Sequence, residues 1–278
     1  MFKMENIKKY QDFLLEEEKS EATIEKYMRD IKAFAIFAEG RTLCKTLVLE
    51  YKSVIMEKYS LRSVNSMLSS LNRYFDFCER YDLKVKHIKI QRQIFLSKEK
   101  ELTKAEYERL LETAKNKKNE RLYLLMQTIC ACGIRVSELK FITAEAVFCG
   151  FAEISCKGKR RTVFLPNQLC KILKNYIKKQ KIKSGSVFIT KNGTPLDRSN
   201  IWSDMKKLCC MANVSEKKVF PHNLRHLFAR THYSLQKDIV RLADILGHTN
   251  VNTTRIYTME SGEIHRRQMQ RLGLLFTT

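Results

Sequence analysis

Between Pro221 and Tyr257 the chain reads PHNLRHLFARTHYSLQKDIVRLADILGHTNVNTTRIY. His222 and Arg225 stand three residues apart, a spacing that puts both on one face of a helix and lets them address the same anion. Leu224 and Phe228 fall on another face and are expected to be buried. Gly247 closes the apolar run Ile239, Leu242, Leu246 as a C-terminal cap would, which places His248 just past a helix end. Tyr257 follows nine residues later. A cationic cradle combined with a hydroxyl nucleophile points to phosphoryl transfer.

A phenol with a pKa near ~10 is a poor nucleophile at neutral pH, and a phosphodiester carries a charge that repels attack. Positive groups around the phosphate answer both difficulties, because their attraction grows as charge builds in the transition state. Arginine suits that role, since its guanidinium stays charged and presents a planar fork to two oxygens. Arg225 is one such group, and Arg135, in the upstream stretch GIRVSEL, is a second. Glu138 either orients Arg135 or is a solvated helix residue. His226 and Arg230 continue the His222 face and read as structural, with a phosphate contact as the alternative for either.

These residues need a scaffold, and the apolar periodicity supplies one. From Lys3 to about Leu83 the pattern is helical, with Ser20 as N-cap, a stripe at Ile24, Tyr27, Ile31 and Phe34, and Gly40 as a stop. Further stripes run through Leu47, Tyr51 and Ile55, then through Val64, Leu68, Leu71 and Phe75. About four short helices result, enough for a small bundle. Residues 84–99 alternate basic and apolar side chains and precede a capping box at Thr103 to Glu106, so they read as a basic extended linker able to follow a phosphate backbone. Beyond it, Leu110, Leu111, Leu122, Leu125 and Ile129 continue the helical pattern up to Gly133, a break that leaves Arg135 at a turn. Phe151 to Cys156 and Arg161 to Leu165 read as strands around Lys157, Gly158, Lys159 and Arg160, with a third strand expected over Val187 to Thr190. Asp197 or Ser199 caps the next helix.

Fifty-two Lys and Arg against thirty Asp and Glu give a formal charge of +22, which calls for a polyanionic partner. Between Ile154 and Leu196 there are eleven basic residues and no acidic one. A membrane is the weaker reading, since no apolar run approaches ~20 residues. The N-terminus lacks a signal peptide's apolar segment. The nine cysteines are scattered without zinc spacing and read as reduced, mostly buried thiols of a cytoplasmic protein.

Five elements in order, GIRVSEL, the Lys157-Gly158 turn, H-x-L-R-H, L-G-H and the tyrosine nine residues on, resemble the motif set of the tyrosine recombinase (phage integrase) family. The resemblance covers the chain from about Lys100 by motif, and the N-terminal part by size and helical pattern. It implies a mainly α protein: a four-helix, SAM-like core-binding domain over residues 1–83, the linker over 84–99, and a mixed α/β catalytic domain over 100–278 with a small antiparallel sheet. Without the resemblance, the N-terminal bundle is a generic accessory or dimerisation domain. The resemblance further implies a site-specific recombinase that breaks and rejoins double-stranded DNA through a covalent 3′-phosphotyrosyl link, needing neither metal nor nucleotide and no other cofactor. Tyr257 is then the nucleophile, Arg135 and Arg225 the phosphate clamp, His222 the proton acceptor and His248 a donor to the phosphate. Lys157 is the general acid for the leaving 5′-hydroxyl, with Lys159 as competitor. A dimer on one site and a tetramer in the synaptic complex are implied as well, in a nucleoid-associated, bacterial or phage-encoded protein. The tail, 262–278, is expected to pack either on its own domain or on a neighbouring protomer. The chain opens almost directly with the bundle, so an extra arm-binding domain is not expected. Integration or excision of a mobile element is the leading biological role. Xer-like dimer resolution, DNA inversion, a nicking topoisomerase and a non-catalytic DNA-binding protein with the same fold are the alternatives.

Overall fold

The computed structural model describes residues 4–90, 99, 101–156, 159–190, 192–257 and 269–272. The chain forms two compact units, Met1–Arg92 and Gln93–Thr278.

The first unit holds α1 (Met4–Glu16), α2 (Glu21–Phe37), α3 (Lys45–Lys58) and α4 (Leu61–Phe77). The stripes seen in the sequence are its core: Ile24, Ile31, Phe34, Leu47, Val64, Leu68 and Phe75 are buried together. Burial of each such side chain contributes roughly 1.5–3 kcal/mol, which offsets the ordering of short helices that would not persist alone. A carboxylate is buried with them. Asp30 on α2 accepts from Lys26 Nζ at 2.7 Å and from Ser70 Oγ of α4 at 2.8 Å, so its charge is paired and hydrogen-bonded.

The basic segment after α4 starts as an extended strap on this bundle. Asn72 donates to Val85 O and accepts from Val85 N, both at 2.9 Å. About two helical turns back on the same face of α4, Asn65 does the same for Ile88, at 2.9 and 2.8 Å. Each amide side chain thus stands in for the edge of a neighbouring strand. The remainder of the expected linker, 91–98, lies outside the described residues.

The second unit contains α5 (Lys104–Asn116), α6 (Glu120–Cys132), α7 (Ala144–Cys149), β1 (Phe151–Cys156), β2 (Lys159–Phe164), α8 (Asn167–Gln180), α9 (Arg198–Lys206), α10 (Cys209–Ala212), α11 (Pro221–Gln236) and α12 (Ile239–Leu246). The capping box at Thr103 and Glu106 starts α5 as its sequence requires, and Asp197 caps α9. Leu110, Leu125, Ile129, Leu173, Ile201 and Leu224 belong to one core.

Two expectations about the sheet are corrected. Strand pairing runs from Phe151↔Phe164 to Cys156↔Lys159, so Lys159 and Arg160 are strand residues and only positions 157 and 158 connect the strands. Val187 to Thr190 adds no third strand. Among the described residues it makes only isolated bridges near it, Thr143↔Ser186 and Ile189↔Pro195. Val187 N–H goes to Ile142 O, and Thr190 N–H to Thr194 O across the Asn192-Gly193 turn. Pro195 has no N–H with which to extend a ladder.

Candidate active site

Arg135 is aimed by the way α6 ends. Gly133 caps that helix with φ +62°, and a Cβ there would overlap the ring of Phe228 on α11, so both backbone and packing select glycine. Two residues on, Arg135 opens a 3-10 turn, Val136–Phe141. Glu138, 1% exposed, accepts from the Arg135 backbone N–H at 2.7 Å and from Arg135 Nη1 at 2.8 Å. It therefore orients Arg135 and is not a solvated residue. Arg161 on β2 donates from Nη2 to the same carboxylate at 2.7 Å. Burial pushes the Glu138 pKa up, but the Arg135 backbone bond and the charges of Arg161 and Arg135 outweigh it and hold it below the ordinary value.

Arg225 is the centre of the arrangement. It lies on α11, whose first residue is Pro221, and is 1% exposed. Nη1 donates to Gly133 O at 2.8 Å and Nη2 to Leu246 O at 2.7 Å. These are terminal carbonyls of α6 and α12, which lack partners within their own helices and carry the negative end of the helix dipole. One guanidinium thus joins two helix ends. Glu138 Oε2 lies 3.8 Å from Nη1. Burial, followed by the charge of Arg135, lowers the Arg225 pKa to about 10, so it stays charged at neutral pH.

Helix α12 stops at Gly247, φ +66°, as its position in the sequence indicates. A Cβ at Gly247 would lie 2.6 Å from Arg161 Cδ, because the Arg161 side chain crosses this point on its way to Ile245 O, to which Nη1 donates. His248 is next. Its Nε2 sits 3.1 Å from Arg225 Nη2 and its Nδ1 2.8 Å from Thr254 Oγ1. Burial, then Arg225, Arg135 and Arg161, depress its pKa to about 4.

Two 3-10 turns, Val251–Thr253 and Arg255–Tyr257, return the chain to this point. Tyr257 is 4% exposed. Its ring meets His226 edge-on, with centroids 4.9 Å apart, and lies nearly parallel to His248 at 6.3 Å. Burial raises the phenol pKa, while the charge and hydrogen bond of Arg225 and the charge of Arg135 oppose that rise. His222 is exposed and touches His226 at 4.4 Å between centroids. Partial shielding, then Arg225, Arg135 and Arg198, lower the His222 pKa.

The structure therefore gathers Arg135, His222, Arg225, His248 and Tyr257 in one place. Lys157 lies outside the described residues, as does the side chain of Lys159. Arg230 is structural: it pairs with Glu101 and donates to Leu102 O at 2.7 Å. His226 is closer to the centre than a structural reading of it implies, since it contacts both His222 and Tyr257. Arg161 and Thr254 touch this cluster, and the sequence reading did not single them out. For Arg161 the signal was its alternation with Val163 and Leu165, a guanidinium on the inward face of a strand. For Thr254 the sequence carried no comparable signal.

Residues 100–263 match the phage integrase family model and residues 7–81 the phage integrase N-terminal SAM-like domain. The chain belongs to the phage integrase family, the tyrosine recombinases. It is 29% identical to tyrosine recombinase XerA of Pyrococcus furiosus, over 98% of this chain and 95% of that protein. It is 31% identical to a tyrosine recombinase of Pseudothermotoga lettingae, over 90% and 92%. A lambda integrase dimer bound to a COC′ core site shares the fold with a TM-score of 0.75 at 16% identity, over 92% of this chain and 95% of that one.

Proposed function

We propose that this protein is a site-specific DNA recombinase in which Tyr257 is the nucleophile. The observation that carries the reading is Arg225, whose guanidinium binds the ends of α6 and α12 and His248 at once, and whose charge opposes the rise of the Tyr257 pKa. Tyr257 Oη bonds to the scissile phosphorus as the P–O5′ bond breaks. The phenol proton passes to His222, whose lowered pKa keeps it neutral and able to accept at pH 7. The departing 5′-oxygen takes a proton from Lys157, with Lys159 the alternative donor. Rejoining runs the same steps backwards, so the bond's energy is retained and no nucleotide is consumed.

Arg135 and Arg225 are assigned to the non-bridging oxygens, and Glu138 holds the first of them in place. His248 Nε2 accepts from Arg225 Nη2. Donation to phosphate requires a proton on that nitrogen, taken up from solvent as the anion's charge offsets the guanidiniums that depress the His248 pKa. The N-terminal bundle and the basic strap are assigned to duplex binding, with residues 84–99 linking it to a catalytic domain over 100–278. Assembly as a dimer on one site and a tetramer at synapsis goes with this chemistry, as does a cytoplasmic, nucleoid-associated setting. Mobile-element integration or excision is the leading role, and the similarity to Xer recombinases supports dimer resolution as the second reading.

Strand exchange between two differently labelled duplexes carrying the cognate site, in chelator and without nucleotide, tests this. Recombinant products are expected. Relaxation of a supercoiled plasmid without exchange would instead define a nicking topoisomerase.

A further inference from the structure

Thr254 is fully buried, and its hydroxyl is the partner of His248 Nδ1. The other ring nitrogen, Nε2, faces Arg225 Nη2. A guanidinium has only donors, so Nη2 donates and Nε2 accepts. The proton of neutral His248 is therefore on Nδ1, and Thr254 Oγ1 accepts it. In an imidazole the tautomer follows the hydrogen bond made by the distal nitrogen. Thr254 supplies that bond from a backbone that is itself pinned: its N–H goes to Val251 O at 2.8 Å, and its C=O accepts from Tyr257 N–H at 2.9 Å.

We propose that Thr254 is a positioning residue that locks His248 in its Nδ1–H form and ties that ring to the turn carrying Tyr257. The imidazole and the phenol then keep one register. When Nε2 is protonated, the Nδ1–H···Oγ1 bond persists, so the ring need not flip to turn from Arg225 to a phosphate. Hydrogen bonds from a charged donor are the stronger kind, so the lock tightens in the state that meets the anion. The part concerning phosphate rests on the recombinase reading, whereas the tautomer does not.

A buried threonine could equally serve packing alone, and two substitutions separate the roles. Thr254→Val keeps the shape and loses the hydroxyl; Thr254→Ser keeps the hydroxyl and loses a methyl. Nitrogen NMR of the histidine rings in the full chain at neutral pH reads the tautomer. Single-turnover adduct formation on a nicked duplex reads the register. Wild type and Thr254→Ser should show only the Nδ1–H form of His248, and Thr254→Val should populate the Nε2–H form. Adduct formation should slow about tenfold or more in Thr254→Val and recover in Thr254→Ser. An Nε2–H ring in the wild type overturns the proposal even if the valine variant does not fold. So does a valine variant with unchanged tautomer and rate, or a serine variant worse than valine. Absence of any adduct with wild type counts against the recombinase reading and leaves the NMR result to decide the lock.

Discussion

Arg161 Nη2 on β2 donates to Glu138 Oε2 at 2.7 Å, on a carboxylate whose other oxygen holds Arg135. A hairpin residue and a helix-end residue are thereby fixed to one buried anion. Glu138→Ala leaves Arg161 and the buried Arg225 without their counter-ion. Removing one partner of a buried charge network typically costs about 3–5 kcal/mol. Urea unfolding should show a lower midpoint at an unchanged slope. An unaltered midpoint would mean that solvent, not Glu138, balances these guanidiniums.

Gly133 combines a left-handed backbone with a side chain pressed against it, so Gly133→Ala suffers twice. A loss of roughly 2 kcal/mol or more is expected from the backbone and overpacking together. Pairing it with Phe228→Leu should restore part of that loss in thermal unfolding. If the double variant is no more stable than Gly133→Ala alone, the ring is not the obstacle.

Acid should weaken the protein in two stages. His226 is depressed to about 3 by burial and then His222, and His248 to about 4, from an ordinary 6.5. Between those values the unfolded chain binds protons that the folded one refuses, so stability falls as pH drops below 6.5. Glu138 is also held below its ordinary 4.5, and its contribution is complete above that value and lost as pH falls through its folded pKa. Denaturant titrations at a series of pH values should show His226→Phe flattening the first stage and Glu138→Gln altering only the second. A wild-type stability that stays level from neutrality to about pH 5 contradicts the first assignment.

The strap after α4 depends on Asn65 and Asn72. Replacing both with Ala removes the side-chain partners of the Val85 and Ile88 amides, whose hydrogen exchange should accelerate well beyond that of the α4 core. Equal protection in the variant would show that the strap is held by its apolar contacts and its other hydrogen bonds, such as Lys52 Nζ to Lys86 O at 2.8 Å.

Much of this is legible in the sequence alone, because the informative features are local. Gly133 and Gly247 are stops whose function depends on the next two residues, and His222 and Arg225 share a face by spacing. Helix stripes in the first unit became its core because periodicity and burial are one fact seen twice. The rest depends on contacts distant in sequence. Arg161 meets Glu138 and Ile245 across 23 and 84 residues, and its period-2 alternation with Val163 and Leu165 gave its inward face but not these partners. The expected third strand failed because Pro195 and the Asn192-Gly193 turn give Val187 to Thr190 other partners.

Trapping on a nicked duplex measures directly whether the phenolic oxygen of Tyr257 becomes covalently bound to DNA. The wild-type chain should give a denaturation-resistant protein–DNA complex whose modified peptide contains Tyr257. Tyr257→Phe should bind the same duplex with equal affinity and form none. A covalent complex that survives the substitution, or one mapped to another residue, would mean that Tyr257 is not the nucleophile.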